Sequence, residues 1–185
     1  MENQATGRGH QDISRAPAAI VVMGVSGCGK TSVGARLAEL LDAAFLEGDS
    51  LHPQANIDKM AAGIPLNDED RWPWLDEIAV QMAETLGQGR SIVASCSALR
   101  QVYRDRLRQG AGAQLRFVFL DGSHELLSRR MGERQGHFMP TALLESQLAT
   151  LEVPTGEPGV VTVSIDQPVD AIARDAAEKL GSGAV

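Results

Sequence analysis

Five short stretches of the chain are apolar at nearly every position, and segments with helical spacing separate them. They read AIVVM (Ala19–Met23), AAFLE (Ala43–Glu47), SIVAS (Ser91–Ser95), LRFVFL (Leu115–Leu120) and GVVTVSI (Gly159–Ile165). A strand with one wet face alternates apolar and polar residues, whereas a strand covered on both faces does not. The pattern therefore predicts an α/β fold, a parallel sheet flanked by helices.

The first intervening helix is predicted from about Lys30 to Leu41, and the second in PQANIDKMAAG, with Pro53 at its first position and Gly63 as its stop. A third runs from about Asp68 to Leu86, capped by Asn67, with Trp72, Leu75, Ala79, Met82 and Leu86 as its core stripe. SALRQVYRDRLRQG predicts a fourth helix ending at Gly110, and SHELLSRRMGERQG a fifth ending near Gly136. PTALLESQLATLE and PVDAIARDAAEKL supply two more. Arg100, Arg104 and Arg108, four residues apart in the fourth helix, read as a solvated charged face. Without a repeat or a linker, the expectation is one domain over residues 18–185 behind a disordered tail of residues 1–17.

Charge and composition narrow the partners. A net charge of −7 over 185 residues argues against nucleic acid, whose backbone requires clustered cations. No apolar run approaches the roughly 18 residues of a membrane span. The polar N-terminus lacks the apolar stretch of a secretory signal, and Cys28 and Cys96, outside any zinc pattern, read as free thiols in a reducing cytoplasm.

The chemistry begins after the first strand. Gly24, Gly29, Lys30 and Thr31 satisfy G-x-x-x-x-G-K-[ST] between a predicted strand and a predicted helix, the context that motif requires. Gly24, Ser26, Gly27, Cys28, Gly29, Lys30, Thr31 and Ser32 thus form a candidate phosphate cradle. Inward N–H groups and the helix N-terminus hold phosphate oxygens, Lys30 reaches the β- and γ-phosphates, and the Thr31 hydroxyl ligates Mg²⁺. The third strand runs into Cys96 and Ser97 without an acid, and neither N-K-x-D nor D-x-x-G occurs, which weakens a GTPase reading. The second strand ends at Glu47-Gly48-Asp49, where ligands bind in open α/β sheets. Small P-loop kinases use an Asp there to take a hydrogen bond from the attacking hydroxyl and to order Mg²⁺; the alternative for Asp49 is a plain turn residue, and for Glu47 a solvated sheet edge.

Several segments together resemble the gluconate kinases of the shikimate-kinase-like P-loop group: MGVSGCGKTSVG, FLEGDSLHPQANIDKMAAGIPLNDEDRWPWL, CSALRQVYRDRLR, RMGERQGHFMP, LLESQLATLEVP and SIDQP. The likeness runs from about Ala19 to Leu180. It implies a P-loop kinase fold with strand order 2-3-1-4-5, an acceptor-binding insert at about residues 50–75 and a helical lid at about 128–142. It implies transfer of the ATP γ-phosphoryl group to the terminal hydroxyl of D-gluconate, and a homodimer. Alternatives are a kinase for another small polar acceptor such as shikimate, or a nucleotide-binding module without transfer. Where the family often has Ser, this chain has Cys28, and the helix dipole with Lys30 is expected to favour its thiolate, making it open to alkylation.

The acceptor carries a carboxylate, so its pocket needs a cation. Arg71 is the preferred anchor and Lys59 the second, with pairing of Lys59 to Asp58 or Glu69, and of Arg71 to first-turn acids, as the other outcomes. His52, Asn56 and Ser97 are further acceptor candidates, His52 alternatively being a cap. Arg130 and Arg134 share a helical face in the lid and would approach the transferring phosphoryl group, with His137 following; Gln167 and Pro168 would cover the adenine.

Overall fold

Along β1 (Ala19–Met23) every residue is buried, and successive side chains enter two different cores. Ile20 and Val22 join one apolar cluster, while Ala19, Val21 and Met23 join the other. A strand between two helical layers is apolar without alternation for this reason. The computed structural model describes residues 16–112, 114–133 and 141–182. Arg134, His137 and most of the predicted tail lie outside them.

The other strands are β2 (Ala44–Glu47), β3 (Ile92–Ser95), β4 (Arg116–Asp121) and β5 (Val160–Ser164). All neighbours pair in parallel in the order β2-β3-β1-β4-β5, the order implied by the resemblance. At the centre Val21 stands between Ala94 and Phe117. The helices are α1 (Lys30–Leu40), α2 (Gln54–Ala61), α3 (Asp68–Gly87), α4 (Gln101–Ala111), α5 (His124–Glu133), α6 (Thr141–Thr150) and α7 (Val169–Ser182). Side chains of α1, α5, α6 and α7 fill the first core, and those of α3 and α4 fill the second. Among the described residues no helix is long and apolar enough to cross a membrane.

Several local expectations are corrected. Pro53 caps α2 rather than opening it. The buried stripe of α3 centres on Trp74, Leu75, Ile78, Ala79 and Met82, while Trp72 and Leu86 are only partly covered. Gly110 lies inside α4 rather than ending it; a Cβ there would come within 2.6 Å of the Ala79 Cβ, so the glycine lets α3 and α4 approach.

The solvated arginine face of α4 is also overturned. Arg104 is 1% exposed. It grips the Glu157 carboxylate with Nε and Nη2, at 2.7 Å for the shortest contact, and donates from Nη1 to the Ala98 carbonyl at 2.9 Å. Ala98 has φ 44°, a left-handed conformation that a side chain disfavours, and the buried guanidinium holds its carbonyl there. Arg104 thus anchors the loop that carries Ser97 out of β3.

Candidate active site

The C-terminal edge of the sheet gathers the predicted chemistry. The loop Gly24–Gly29 leaves β1 and delivers Lys30 as the first residue of α1. Lys30 Nζ donates to the Val25 carbonyl at 3.2 Å, so the ammonium curls over its own loop. Thr31 and Ser32 lie exposed on the first turn of α1.

Asp49 is placed by a tightly packed turn. Gly48 opens a single 3₁₀ turn (Gly48–Leu51) directly after β2. Its carbonyl accepts from Trp74 Nε1 at 2.7 Å, and its amide donates to Ser95 Oγ at 3.1 Å. The Ser95 hydroxyl in turn donates to the Glu47 carboxylate, which also receives the Asp49 amide at 3.4 Å. Glu47 therefore builds the turn instead of remaining a free edge charge. A Cβ on Gly48 would meet the Ser95 carbonyl oxygen at 2.0 Å. Gly48→Ala is expected to lower the unfolding free energy by about 2 kcal/mol, read by urea denaturation, because the rigid backbone of β3 cannot yield cheaply.

His52 stacks on Trp74 with ring centroids 4.0 Å apart. Burial pushes its pKa below the ordinary value, so the ring is neutral near neutral pH. Asn56 Nδ2 faces His52 Nδ1 at 3.3 Å. An amide nitrogen can only donate, so Nδ1 accepts and the ring proton sits on Nε2, which faces the Asp49 carboxylate at 3.9 Å.

A cavity of about 370 Å³ joins these parts. Ser26, Lys30, Asp49, His52, Arg71 and Ser97 line it together. Arg71 is 8% exposed, and its Nε is buried without a hydrogen-bond partner. Its guanidinium lies over the Tyr103 ring at 5.3 Å, while the Tyr103 hydroxyl is bonded to Asp68 at 2.5 Å. Asn56 and Lys59 do not line the cavity. Asn56 donates to the Asp70 carbonyl, and Lys59 grips both Asp70 oxygens at 2.8 Å, so both tie α2 to the start of α3. The partner of Lys59 is thus Asp70, neither Asp58 nor Glu69. Asp70 also closes a capping box with Asn67.

The expectation for Cys28 is overturned. The thiol is fully buried in the α1-side core, and burial pushes its pKa up despite the nearby charge of Lys30. Its side chain packs in the core and burial favours the protonated thiol, so alkylation at Cys28 is expected to be slow. Cys96 behaves alike, its pKa pushed up to about 12 by burial. Arg130 is half-buried on α5 and donates to the Ile165 carbonyl at 2.7 Å, and its charge also acts on Cys28. Gln167 and Pro168 follow β5, Gln167 donating to the Ser164 carbonyl at 3.0 Å.

Sequence reasoning missed the α6 wall of the cavity. Leu143, Ser146, Gln147 and Thr150 line it, and Gln147 Oε1 accepts from the Ser26 amide at 2.7 Å. Their i, i+3, i+4, i+7 spacing marks one helical face, but the two central residues are polar and give no apolar signal. Apolar side chains of the insert, including Ile57, Met60 and Leu66, supply the facing wall.

The chain matches the family described as "AAA domain" over residues 20–154. It is 46% identical over 159 residues to a gluconokinase of Gluconobacter oxydans strain 621H, covering 86% of this chain and 89% of that protein. It is 45% identical over 150 residues to the thermosensitive gluconokinase of Escherichia coli strain K12, covering 80% of each. The crystal structure of a gluconokinase from Sinorhizobium meliloti 1021 superposes with a TM-score of 0.81 at 52% identity, covering 91% of this chain and 94% of that one. With the P-loop, the sheet order and this degree of likeness over most of its length, the chain belongs to the gluconokinase family of P-loop kinases.

Proposed function

We propose that the chain transfers the terminal phosphoryl group of ATP to the terminal hydroxyl of D-gluconate, giving 6-phospho-D-gluconate. The observation that carries the substrate reading is Arg71, a buried guanidinium with an unpartnered Nε lining the cavity that Lys30 and Asp49 share. A buried cation with a donor left over calls for an anion, and a carboxylate matches its planar fork. Arg71 at one end and the phosphate loop at the other fix a polyol acid with its far hydroxyl towards the nucleotide, while His52 and Ser97 meet hydroxyls along its length.

In this reading Asp49 accepts the proton as the hydroxyl O–H bond breaks. The freed oxygen forms its bond to the γ-phosphorus, and the bond from that phosphorus to the ADP oxygen breaks, ADP leaving with the electron pair. Lys30 and Arg130 face the charge that spreads over the phosphoryl oxygens, with Arg134 and His137 assigned to the same lid. Gln167 and Pro168 border the adenine. The exposed Thr31 hydroxyl and Asp49 carboxylate are hard oxygen donors suited to Mg²⁺. In this reading the ion is held mostly by phosphate oxygens. Bound there, Mg²⁺ would draw charge from those oxygens. The reading includes a cytoplasmic homodimer, the dimer to be checked by light scattering.

A coupled ADP-release assay across gluconate, other sugar acids, shikimate and nucleoside monophosphates tests the reading. Release that depends on gluconate supports it, and equal release without any acceptor overturns it. Arg71→Ala is expected to raise the gluconate KM by more than about tenfold, with the ATP KM within about twofold, as loss of a charge-assisted contact implies. An unchanged gluconate KM removes Arg71 from the acceptor site.

A further inference from the structure

Helix α6 touches both halves of the site. Gln147 lines the acceptor cavity and also takes the Ser26 amide on its Oε1. Ser26 belongs to the phosphate loop, yet it lines the same cavity as Asp49, Arg71 and Ser97. A phosphate resting against Ser26 is therefore the one nearest the acceptor, which is the phosphate that is transferred.

We propose that Gln147 is a positioning residue that detects the terminal phosphate of the nucleotide and thereby sets the α6 wall of the acceptor cavity. The inference rests on the kinase reading and deepens it. An N–H bond to an ionised oxygen is about twice as strong as one to a neutral carbonyl. A terminal phosphate oxygen therefore takes the Ser26 amide from Gln147 Oε1. A carboxamide carries an acceptor and a donor on one planar group, so a rotation presents Nε2 to that same phosphate. ADP brings no oxygen to this position, and with ADP the Ser26–Gln147 bond persists. Ser146 and Thr150 line the cavity from the same helical face as Gln147, so the bond that Gln147 makes to the loop or its phosphate fixes how close that wall stands to the nucleotide. The acceptor wall thus takes its transfer geometry only when there is a phosphoryl group to transfer.

Two variants separate this role from a structural one. Gln147→Glu is isosteric and keeps an acceptor for the Ser26 amide, but it cannot donate and places negative charge against the phosphate. Gln147→Leu keeps bulk and removes both functions. Wild type and variants are titrated calorimetrically with the magnesium complexes of β,γ-imido-ATP and of ADP. Gln147→Glu is expected to weaken the ATP analogue by about tenfold or more, and Gln147→Leu by about threefold, with ADP affinity within about twofold in both. A wild-type ratio of analogue to ADP affinity in Gln147→Glu overturns the proposal. Equal weakening of both nucleotides also overturns it, since a distorted loop would do that. Neither measurement uses an acceptor, so failure of gluconate-dependent ADP release in the wild type would sink the substrate reading separately.

Discussion

Replacing Asp49 with asparagine is expected to lower kcat for gluconate-dependent ADP release by about 10²- to 10³-fold, while the gluconate KM stays within about threefold. The amide keeps the size of the side chain and a hydrogen-bond acceptor for the attacking hydroxyl. It cannot take the proton as the new O–P bond forms, so the loss falls on the transition state and not on binding. Position makes this carboxylate the candidate base. It leaves the C-terminal edge of the sheet on a turn whose first residue is packed against the backbone of β3, and Trp74 bonds that residue's carbonyl at 2.7 Å. Neutral His52 turns its Nε2 proton towards it at 3.9 Å. The turn itself depends on Glu47, Ser95 and Gly48 rather than on the Asp49 side chain, which is 69% exposed, so the variant should unfold like the wild type. A raised KM with unchanged kcat would reduce Asp49 to a binding group.

The sheet was legible because its signal is local and redundant. Each central strand is covered on both faces, so an unbroken apolar run marks it, and the P-loop sits in the β1–α1 turn where its motif between a strand and a helix puts it. What was not legible depends on side chains meeting across the fold. Arg104 carries the same charge and spacing as half-buried Arg100 and Arg108, and Glu157, far along the chain, together with the Ala98 carbonyl makes its full burial tolerable. Trp72 and Trp74 are equally apolar in the sequence; the indole that finds the Gly48 carbonyl goes inside, while Trp72 stays near the surface under Arg106. Motif proximity suggested an activated Cys28, but its side chain turns into the core and desolvation outweighs the loop's positive field. Among acceptor candidates, guanidinium geometry alone put Arg71 ahead of Lys59, and the sequence could not show which cation is already occupied. The difference is that Asp70 occupies Lys59 on both oxygens, whereas Arg71 Nε stays unpartnered.

Lys30→Met is expected to lower kcat/KM for ATP by about 10³-fold, with the gluconate affinity of the protein nearly unchanged. Methionine preserves much of the length and the apolar stem and removes only the ammonium. That group bonds the Val25 carbonyl at 3.2 Å, a neutral acceptor that phosphate oxygens outcompete, so Lys30 is already held over the loop it serves. The fold should not suffer, since α1 is anchored by Val33, Leu37 and Ala38 in the core. Lys30→Arg is expected to recover less than about a tenth of the lost activity, because a planar fork cannot substitute for a compact charge that must fit between two phosphates. The contrast with Gln147 is diagnostic: without the Lys30 charge both ADP and the ATP analogue bind more weakly, whereas Gln147→Glu is selective for the analogue. Activity within tenfold of wild type in Lys30→Met would mean that the backbone amides alone hold the nucleotide. The protein's net charge of −7 does not decide this question, since Lys30 and Arg71, both lining the cavity, set the local field. If each meets a different anion, as proposed, Lys30→Met and Arg71→Ala should act on different substrates, and their effects on kcat/KM should multiply in the double variant.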